Sequence, residues 1–505
     1  MNRFAAGGLR HRRARVAIVV ALAATTLAGC AVGPDFVRPA PPYADRYTAH
    51  RLSIEGAAPA DESAQHLLLG DRLAGDWWRL FRSNALDTVV RRALARNRTL
   101  EAAAATLAQS QEVAAAQAGS LTPQVGLASG IGRQRYGAEF LGTLAKPPSF
   151  TYFAVGPTIS YVLDYTGGAG RSVEQQYALA DYRQQQLDAA YLAVTGNAVM
   201  LSLEIASLRE QIATVEVLLA HDRENLELVR TAFDAGSVSR LDINGAKSLL
   251  ASDATSVPSL RQALGVARHA LAIVLGEPPA NAALPEFDLA QLSLPISLPV
   301  SLPSELAHRR PDILAAEAQL HAATAAVGVA EANLYPRIDL SASSGQQATA
   351  FGHLFDRATN AWGLAGAMLV PLLDGGTLRA ERRAAEDAMR ATAANYEQAV
   401  LSAFAQVADA LEALDHDAER LDTQDRAQDA ARANVDLARA SYREGNVGVL
   451  QVLDAERLYQ RARLGYVQAT GQRYIDTARL FLALGGSAPP AAATTGAALR
   501  PAPGR

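Results

Sequence analysis

The amino-acid sequence predicts a mixed fold of long α-helices and transmembrane β-strands, duplicated within one chain of 505 residues. Three observations support this class. Apolar residues recur at alternating spacings of four and three over very long stretches, which indicates coiled-coil helices. Two pairs of short segments alternate between apolar and small residues, as half-buried or membrane-spanning strands do. Both patterns occur once in each half of the chain, so the fold is an internal repeat.

The first 29 residues have the composition of a bacterial signal peptide. An arginine-rich segment precedes the apolar run Val16–Leu27, which at about a dozen residues is too short to cross a bilayer as a mature helix. The run ends in Leu27-Ala28-Gly29-Cys30, which resembles a lipobox, and Cys30 is the only cysteine in the chain. The resemblance implies a diacylglycerol thioether and an acylated amino terminus on Cys30. A buried structural cysteine is the weaker alternative directly after a signal peptide. Such lipoproteins use an aspartate directly after the cysteine for retention in the inner membrane. Residue 31 is an alanine, so the resemblance implies the outer membrane.

Charge and composition argue against several functional classes. The net charge of −4 gives no electrostatic case for nucleic acid. The nine histidines are dispersed, and neither a phosphate-binding loop nor a paired metal motif occurs, so we expect no enzyme, no metal and no cofactor beyond the lipid. The charged cluster Arg309-Arg310-Pro311-Asp312 is better explained as the start of a helix, because Pro and Asp are favoured in a first turn.

Residues 30–85 are rich in proline and polar residues, and we predict an extended segment packed on the outside of the body, in the equatorial region. Its pair Trp77-Trp78 is expected to anchor a core rather than bind a ligand. The first repeat, residues 86–276, comprises a helix, a strand pair within 123–164 and a long helical hairpin. Each strand run is long enough to cross a membrane, which takes about 9–11 residues. The pattern alone does not exclude a soluble sheet.

The long helix of the first repeat has the strongest periodicity. Over about Ser172–Phe233 the apolar residues follow the 3.5-residue repeat of left-handed supercoils, and Asp222 is the one polar break. At 1.5 Å per residue this helix would be roughly 90 Å long. A return helix is predicted from Leu241 to about Leu275, with Pro258 expected to kink or divide it.

Residues 277–303 form a proline-rich connector, and the second repeat covers 304–485, with its strand pair within 336–374. The tail, residues 486–505, is predicted to be disordered. Glycine turns at Gly236 and Gly445 interrupt the two long helical patterns. At a constant distance along the chain, Leu100, Ala103, Leu107, Pro123 and Val125 correspond to Ile313, Ala316, Leu320, Pro336 and Ile338.

Four strands cannot close a membrane barrel, and lipid tolerates no open sheet edge. Outer-membrane barrels have about eight strands or more, so a ring of three chains with about twelve strands would satisfy this requirement. The long helices would surround the same axis. An ordinary dimeric coiled coil explains the heptads but neither the strand pairs nor the duplication.

The chain contains the motifs Gly33–Phe36, Arg309–Ile313, Ala315–Leu320, Leu334–Pro336, Leu373–Gly376 and Leu450–Glu456. They resemble the motifs of TolC-type outer-membrane factors, most like the lipoprotein, NodT-like branch. The resemblance covers essentially the whole mature chain, and it implies a homotrimeric channel-tunnel with a twelve-stranded β-barrel, an α-helical barrel and a small equatorial domain. It further implies the outlet of a tripartite efflux system, which receives substrates from an inner-membrane pump of RND type through a periplasmic adaptor.

The resemblance also implies a gate at the periplasmic tip. Asp242 and Tyr442 match the pair that links neighbouring helices in the closed state through a charge-assisted hydrogen bond. The turns at Gly236 and Gly445 are expected to dock the adaptor, and glycine suits them because it adopts positive φ.

The same resemblance implies a pore constriction at Leu450, Gln451 and Asp454. One Asp454 carboxylate from each chain would favour cations, although an ordinary solvated helical carboxylate is the alternative. Gln451 stands where some relatives have a second acidic ring, so we expect a weaker cation preference. Val447 replaces an arginine that reinforces closure in some members.

Other functional classes stay open at this point. A type I secretion outlet would use the same channel, whereas a periplasmic adaptor would carry one helical hairpin rather than two. A purely structural lipoprotein is a third alternative. The sequence does not distinguish drugs, metals, siderophores or proteins as the exported substrate.

Overall fold

The computed structural model describes residues 31–50, 52, 65–137 and 148–486. The predicted signal peptide, Cys30 and nearly all of the predicted disordered tail lie outside the described residues. The chain forms two compact units, and each contains parts of both repeats. We call them the sheet unit (Met1–Pro39, Thr106–Arg183 and Ala316–Tyr396) and the helical unit (Ala40–Ala105, Gln184–Ala315 and Glu397–Arg505).

The regular elements follow the predicted order, except that the single helix expected before the first strand pair is divided at Asn97 and that the extended segment and the connector each contain a short strand. The strands are β1 (His66–Leu69), β2 (Gln124–Gln134), β3 (Phe150–Leu163), β4 (Ser297–Val300), β5 (Arg337–Ala348) and β6 (Asn360–Leu369). The helices are α1 (Asn84–Arg96), α2 (Arg98–Gly119), α3 (Gly168–Asp234), α4 (Arg240–Ala254), α5 (Ser256–Val274), α6 (Pro303–Leu306), α7 (Pro311–Ala332), α8 (Thr377–Arg443) and α9 (Val449–Ala483). The two long helices, α3 and α8, have 67 residues each, which agrees with a duplicated chain.

The sheet unit contains one four-stranded antiparallel sheet. Its strand order is β2-β3-β5-β6, so β2 and β6 are edge strands with one partner each. Gln124 of β2 pairs with Ser160, Leu163 of β3 pairs with Ile338, and Arg337 of β5 pairs with Leu369. All four strand runs expected from the alternating pattern are strands in the structure.

The register separates the sheet into two chemically different faces, because directly paired residues point to the same side. One face is apolar and includes Val125, Leu127, Ile131, Phe153, Val155, Ile159, Tyr161, Ile338, Leu340, Trp362, Leu364 and Met368. The opposite face has small or polar residues, among them Gly126, Ala128, Gly130, Ala154, Thr158, Ser160, Ser341, Ser343, Gly363, Ala365 and Ala367. On the edge strands the apolar side chains are largely exposed: Leu127, Trp362 and Leu364 are 78%, 78% and 79% exposed.

A small layer of the helical unit is built from the predicted extended segment and the connector. Here β1 pairs in parallel with β4, and His66 lies opposite Ser297. A short 3-10 helix, Trp77–Phe81, buries both tryptophans. The Trp77 ring lies 5.6 Å from that of Phe481, measured between centroids. The prediction that this tryptophan pair anchors a core is therefore confirmed.

The return helix of the first repeat is divided, as Pro258 predicts. Helix α4 ends at Ala254 and α5 begins at Ser256, with Thr255 between them. A proline ring clashes with the carbonyl group four residues earlier, which here belongs to Ala254. The corresponding helix of the second repeat, α9, contains no proline and is continuous.

The contacts of Arg310 show that the charged cluster Arg309–Asp312 has a structural role, as predicted. Helix α7 begins at Pro311, with Asp312 in its first turn. The buried Arg310 guanidinium pairs with the Asp312 carboxylate at 2.7 Å and donates to the Ala483 carbonyl at 2.7 Å. It therefore ties the start of α7 to the end of α9.

The segment that follows Cys30 is packed within the sheet unit. The Val32 amide donates to the Thr166 carbonyl at 2.9 Å. Arg171 donates to Asp35 at 2.5 Å, and the Phe36 ring stacks on His321 with centroids 4.4 Å apart. These contacts account for the Gly33–Phe36 motif, which positions the chain directly after the predicted lipidation site.

Candidate functional site

The first glycine turn has the geometry of a Schellman motif, the hydrogen-bond pattern that ends many helices. Gly236 follows α3 with a φ of 76°. The Gly236 amide donates to the Phe233 carbonyl at 2.8 Å, and the Ser237 amide donates to Ala232 at 2.9 Å. A residue with a Cβ rarely adopts this φ, so the glycine is required by the backbone.

The second turn repeats this geometry. Gly445 follows α8 with a φ of 74°. Its amide donates to the Tyr442 carbonyl at 3.0 Å, and the Asn446 amide donates to Ser441 at 2.9 Å. The two repeats therefore end their long helices with the same motif, as the turn-forming role of both glycines predicts.

The Asp242 carboxylate caps the start of α4. It accepts hydrogen bonds from the Ser239 amide and the Ser239 hydroxyl, both at 2.7 Å, and completes a capping box. These bonds, the hydroxyl first, hold the Asp242 pKa below its usual value. The pattern Ser239-Arg240-Leu241-Asp242 is a readable capping signature that our sequence reasoning missed.

Tyr442 lies on the last turn of α8 and is 48% exposed. Within the part of the chain that the structure describes, its hydroxyl has no hydrogen-bond partner, and Asp242 is bonded to Ser239 instead. The link between Asp242 and Tyr442 is therefore not formed in this chain, and its formation in a closed channel stays a prediction.

The residues assigned to the constriction differ in their surroundings. Gln451 and Asp454 are exposed on one face of α9, and Leu458 continues this face at 46% exposure. Leu450 instead packs against Leu226 and neighbouring residues of the first hairpin. Its contact within the chain favours a packing role, and the pore assignment of all three predicted residues stays a prediction.

A layer of charged side chains, which sequence reasoning did not identify, joins the two hairpins. We call Asp222, Asp253, Arg457 and Arg461 the charged layer. The Arg457 guanidinium lies 3.1 Å from Asp253 and 3.5 Å from Asp222, and Arg461 lies 2.8 Å from Asp253. The side chains of Asp222 and Arg457 are 1% and 9% exposed, so this contact is shielded from water.

Two further properties bear on the class of protein. Among the described residues, no group of three or more His, Cys, Asp or Glu side chains is placed to hold a metal ion. Helices α3 and α7 are long and apolar enough to cross a membrane by length and composition, but half of each apolar window is buried inside the protein. Several apolar side chains on the edge strands of the sheet, by contrast, are largely exposed.

A sheet with one exposed apolar face, combined with two long helical hairpins that end in equivalent turns, defines a membrane channel of the outer-membrane type. The family model of outer membrane efflux proteins matches residues 89–277 and 302–486. The chain belongs to the outer membrane efflux protein family, which confirms the resemblance given by its motifs. It is an outer-membrane efflux component, and the periplasmic-adaptor alternative is wrong.

Named relatives and a solved structure agree with this assignment. The pyoverdine export outer membrane protein OpmQ of Pseudomonas aeruginosa is 31% identical over 443 residues, which cover 86% of this chain and 92% of OpmQ. Nodulation protein T of Rhizobium leguminosarum bv. trifolii is 27% identical over 470 residues, covering 91% and 94%. The outer-membrane channel OprN superposes with a TM-score of 0.80 at 29% identity, covering 91% of this chain and 99% of OprN.

Proposed function

We propose that three copies of this chain form a channel-tunnel through which substrates leave the periplasm. The observation that carries the proposal is the four-stranded sheet, which has an apolar face and two edge strands with one partner each. Unpaired backbone groups at a sheet edge are not tolerated in lipid, so the edges must pair with other copies. Three copies would supply about twelve strands, enough for a closed barrel.

The helical hairpins would form the tunnel and its partner-binding end. Gly236 and Gly445 present two short turns of the same geometry, and a ring of three chains would display six of them. We propose that these turns contact a periplasmic adaptor, which couples the channel to an inner-membrane pump of RND type. In this arrangement the pump and adaptor select the substrate.

The gate would lie next to these turns. In a closed trimer, the Tyr442 hydroxyl is proposed to donate a hydrogen bond to the Asp242 carboxylate. Asp454 and Gln451 would face the pore. The exposure of Gln451 and Asp454 on one face of α9 supports this arrangement. A ring of Asp454 carboxylates would attract cations more weakly than a double acidic ring would.

Lipidation of Cys30 would add a second membrane attachment. Residues Val32 to Phe36 are held against the sheet unit, so the acyl chains on Cys30 would start close to the strands. Several acyl chains anchor a protein stably, since each buried methylene contributes about 0.8 kcal/mol.

Two matched substitutions test the barrel proposal. Leu364 on the apolar face and Ala365 on the opposite face are neighbours on β6. Leu364→Arg should prevent insertion, because a charge facing lipid costs about 2–4 kcal/mol at mid-membrane. Ala365→Arg should insert and change only the single-channel conductance in planar bilayers. Native mass measurement should give three chains, and a purified trimer without any conductance would overturn the proposal.

A further inference from the structure

Along α3 the charged layer lies between two apolar clusters of the helical unit, and Leu250 of α4 packs against both clusters. One cluster, on the side of the glycine turns, contains Leu226, Val229 and Ala246. The other contains Val215, Leu219 and Val257. Asp222 lies between Leu219 and Leu226 along α3, and it is the polar break in the heptad pattern. The coiled coil therefore changes from apolar to ionic contact at one level and then returns to apolar contact.

This level coincides with the division of the return helix. Asp253 is in the last turn of α4, two residues before Thr255. Two arginines of the continuous helix α9 hold its carboxylate, Arg457 at 3.1 Å and Arg461 at 2.8 Å. The end of α4 is thus attached to α9 by ion pairs at the point where the backbone of the hairpin is interrupted.

Asp222 is incompletely satisfied in this layer. Neither of its buried oxygens accepts a hydrogen bond from the described residues, although Arg457 Nε lies 3.5 Å from Oδ1. A buried carboxylate without donors is costly, and breaking its contact with Arg457 would remove most of the charge compensation that it has. Arg457 therefore opposes the separation of three helices: α3, α4 and α9.

The residue before Arg457 makes a parallel connection. Glu456 accepts from Arg439 of α8 at 2.9 Å, and its other oxygen lies 3.0 Å from His221 Nδ1 of α3. Adjacent residues of α9 thus connect it to the three other helices near the turns: Glu456 contacts α3 and α8, and Arg457 contacts α3 and α4.

We propose that Arg457 is a positioning residue for the gate: it holds α4 against α9 through Asp253 and α3 against α9 through Asp222, and its release lets α4 swing about Thr255. The proposal rests on the proposed channel function, because α4 carries Asp242 and begins at the first glycine turn. Ala246 would move with α4 and separate from Leu226 and Val229, which lie on the continuous helix α3 together with Leu219.

The layer also responds to pH. Burial, followed by the neighbouring Asp253 carboxylate, raises the Asp222 pKa to about 6. Burial alone would raise the Asp253 pKa, but hydrogen bonds from Arg461 and Arg457 hold it below its usual value. The charged or titratable groups around Asp222 are Asp253 of α4, Arg457, Arg461 and Glu456 of α9, Arg439 of α8, and the adjacent His221 of α3.

The sign of the effect follows from the raised pKa. Asp222 binds its proton more tightly in the closed layer than it would in water, where its pKa would be 3.8. The closed layer is therefore stabilised as the pH falls from about 6 towards 3.8. One pH unit below a pKa of about 6, closure is favoured about tenfold more than at neutral pH. Protonated Asp222 can also donate to Asp253, so acidification should tighten the layer.

Hydrogen exchange of the full-length protein tests the proposal, with exchange of the α4 amides as the readout. Arg457→Gln should accelerate that exchange at least about tenfold, and Arg457→Lys should restore most of the protection. Asp222→Asn should raise the protection factor of the α4 amides at pH 7.5 and remove the difference in protection factor between pH 7.5 and 5, once the intrinsic pH dependence of amide exchange is divided out. The matched control is Glu216→Gln, which removes the exposed 2.8 Å pair between Glu216 of α3 and Arg261 of α5 and should leave α4 unchanged.

Single-channel recording of the same proteins connects the layer to the gate. Arg457→Gln should raise the open probability, and Asp222→Asn should lower it. If Asp222→Asn instead accelerates α4 exchange, or if Arg457→Gln behaves like Glu216→Gln, the positioning role is overturned. If the unaltered protein shows no conductance, the channel proposal fails, and the exchange data still decide whether the layer holds α4.

Discussion

Replacing Gly445 by alanine should loosen the second glycine turn. Gly445 has a φ of 74°, and a Cβ added there would meet no atom within 4 Å. Any destabilisation therefore comes from the backbone conformation and not from a clash. The left-handed conformation costs a residue with a Cβ about 1–2 kcal/mol. Because about 1.4 kcal/mol is tenfold, local opening of this turn should become about 5–30 times more frequent.

Gly245 provides a control with the same chemical change. It lies inside α4, is exposed, and also has nothing within 4 Å of an added Cβ, but its φ is not in the left-handed region. Alanine is favoured over glycine within a helix by about 0.5–1 kcal/mol. Gly245→Ala should therefore stabilise α4, so the two substitutions should have effects of opposite sign.

Hydrogen exchange measured by mass spectrometry can separate these effects at peptide resolution. Peptides across Gly445 should exchange faster in Gly445→Ala, while peptides of α4 should exchange more slowly in Gly245→Ala. Equal or slower exchange around Gly445 after substitution would refute the Schellman-motif explanation. Gly236→Ala, at a φ of 76°, should reproduce the Gly445→Ala result in the first repeat.

Three further outcomes are expected. Cys30→Ser should abolish incorporation of radiolabelled palmitate, whereas labelling that persists would exclude Cys30 as the acylated residue. Combining Asp242→Ala with Tyr442→Phe should raise the resting conductance in planar bilayers, and an unchanged conductance would remove this pair from the gate. Burial, followed by the Asp476 carboxylate, raises the Asp417 pKa to about 7. Ionised Asp417 therefore destabilises the folded state above pH 7, and this destabilisation decreases as the pH falls and the carboxyl group is protonated. Asp417→Asn should therefore raise the unfolding temperature at pH 8 more than at pH 5, and an equal rise at both would contradict this reasoning.

The fold was largely predictable because its main patterns are local and repeated. The alternation over 123–164 and 336–374 identified all four strands of the sheet, and the heptad pattern identified both 67-residue helices. Pro258 predicted the division of the return helix, because proline has no amide hydrogen and its ring clashes with the carbonyl group four residues earlier. Such features follow from chemistry within one turn or one strand, so a single sequence shows them.

The candidate site was predictable only in part. The positive φ of Gly236 and Gly445 follows from residue type and position, but the partner of Asp242 was missed. A link to Tyr442 was inferred from family resemblance, although Ser239 three residues earlier offered a shorter connection. Local capping competes with long-range hydrogen bonds for the same carboxylate oxygens. Forming the proposed link to Tyr442 would therefore weaken the hydrogen bonds between Asp242 and Ser239, so closure of the gate and loss of the capping box are coupled.

The charged layer shows why the remaining contacts could not be inferred. Asp253 and Arg457 are 204 residues apart in sequence, and each alone is a typical exposed residue of a helix. A heptad pattern determines which face of a helix is buried, but not the axial alignment of two helices separated by a whole repeat. Asp222 was visible as a polar break, yet its partners depend on that alignment and on the end of α4 at Ala254. Because Pro258 sets where α4 ends, the same residue that divides the helix also determines which carboxylate Arg457 and Arg461 can reach.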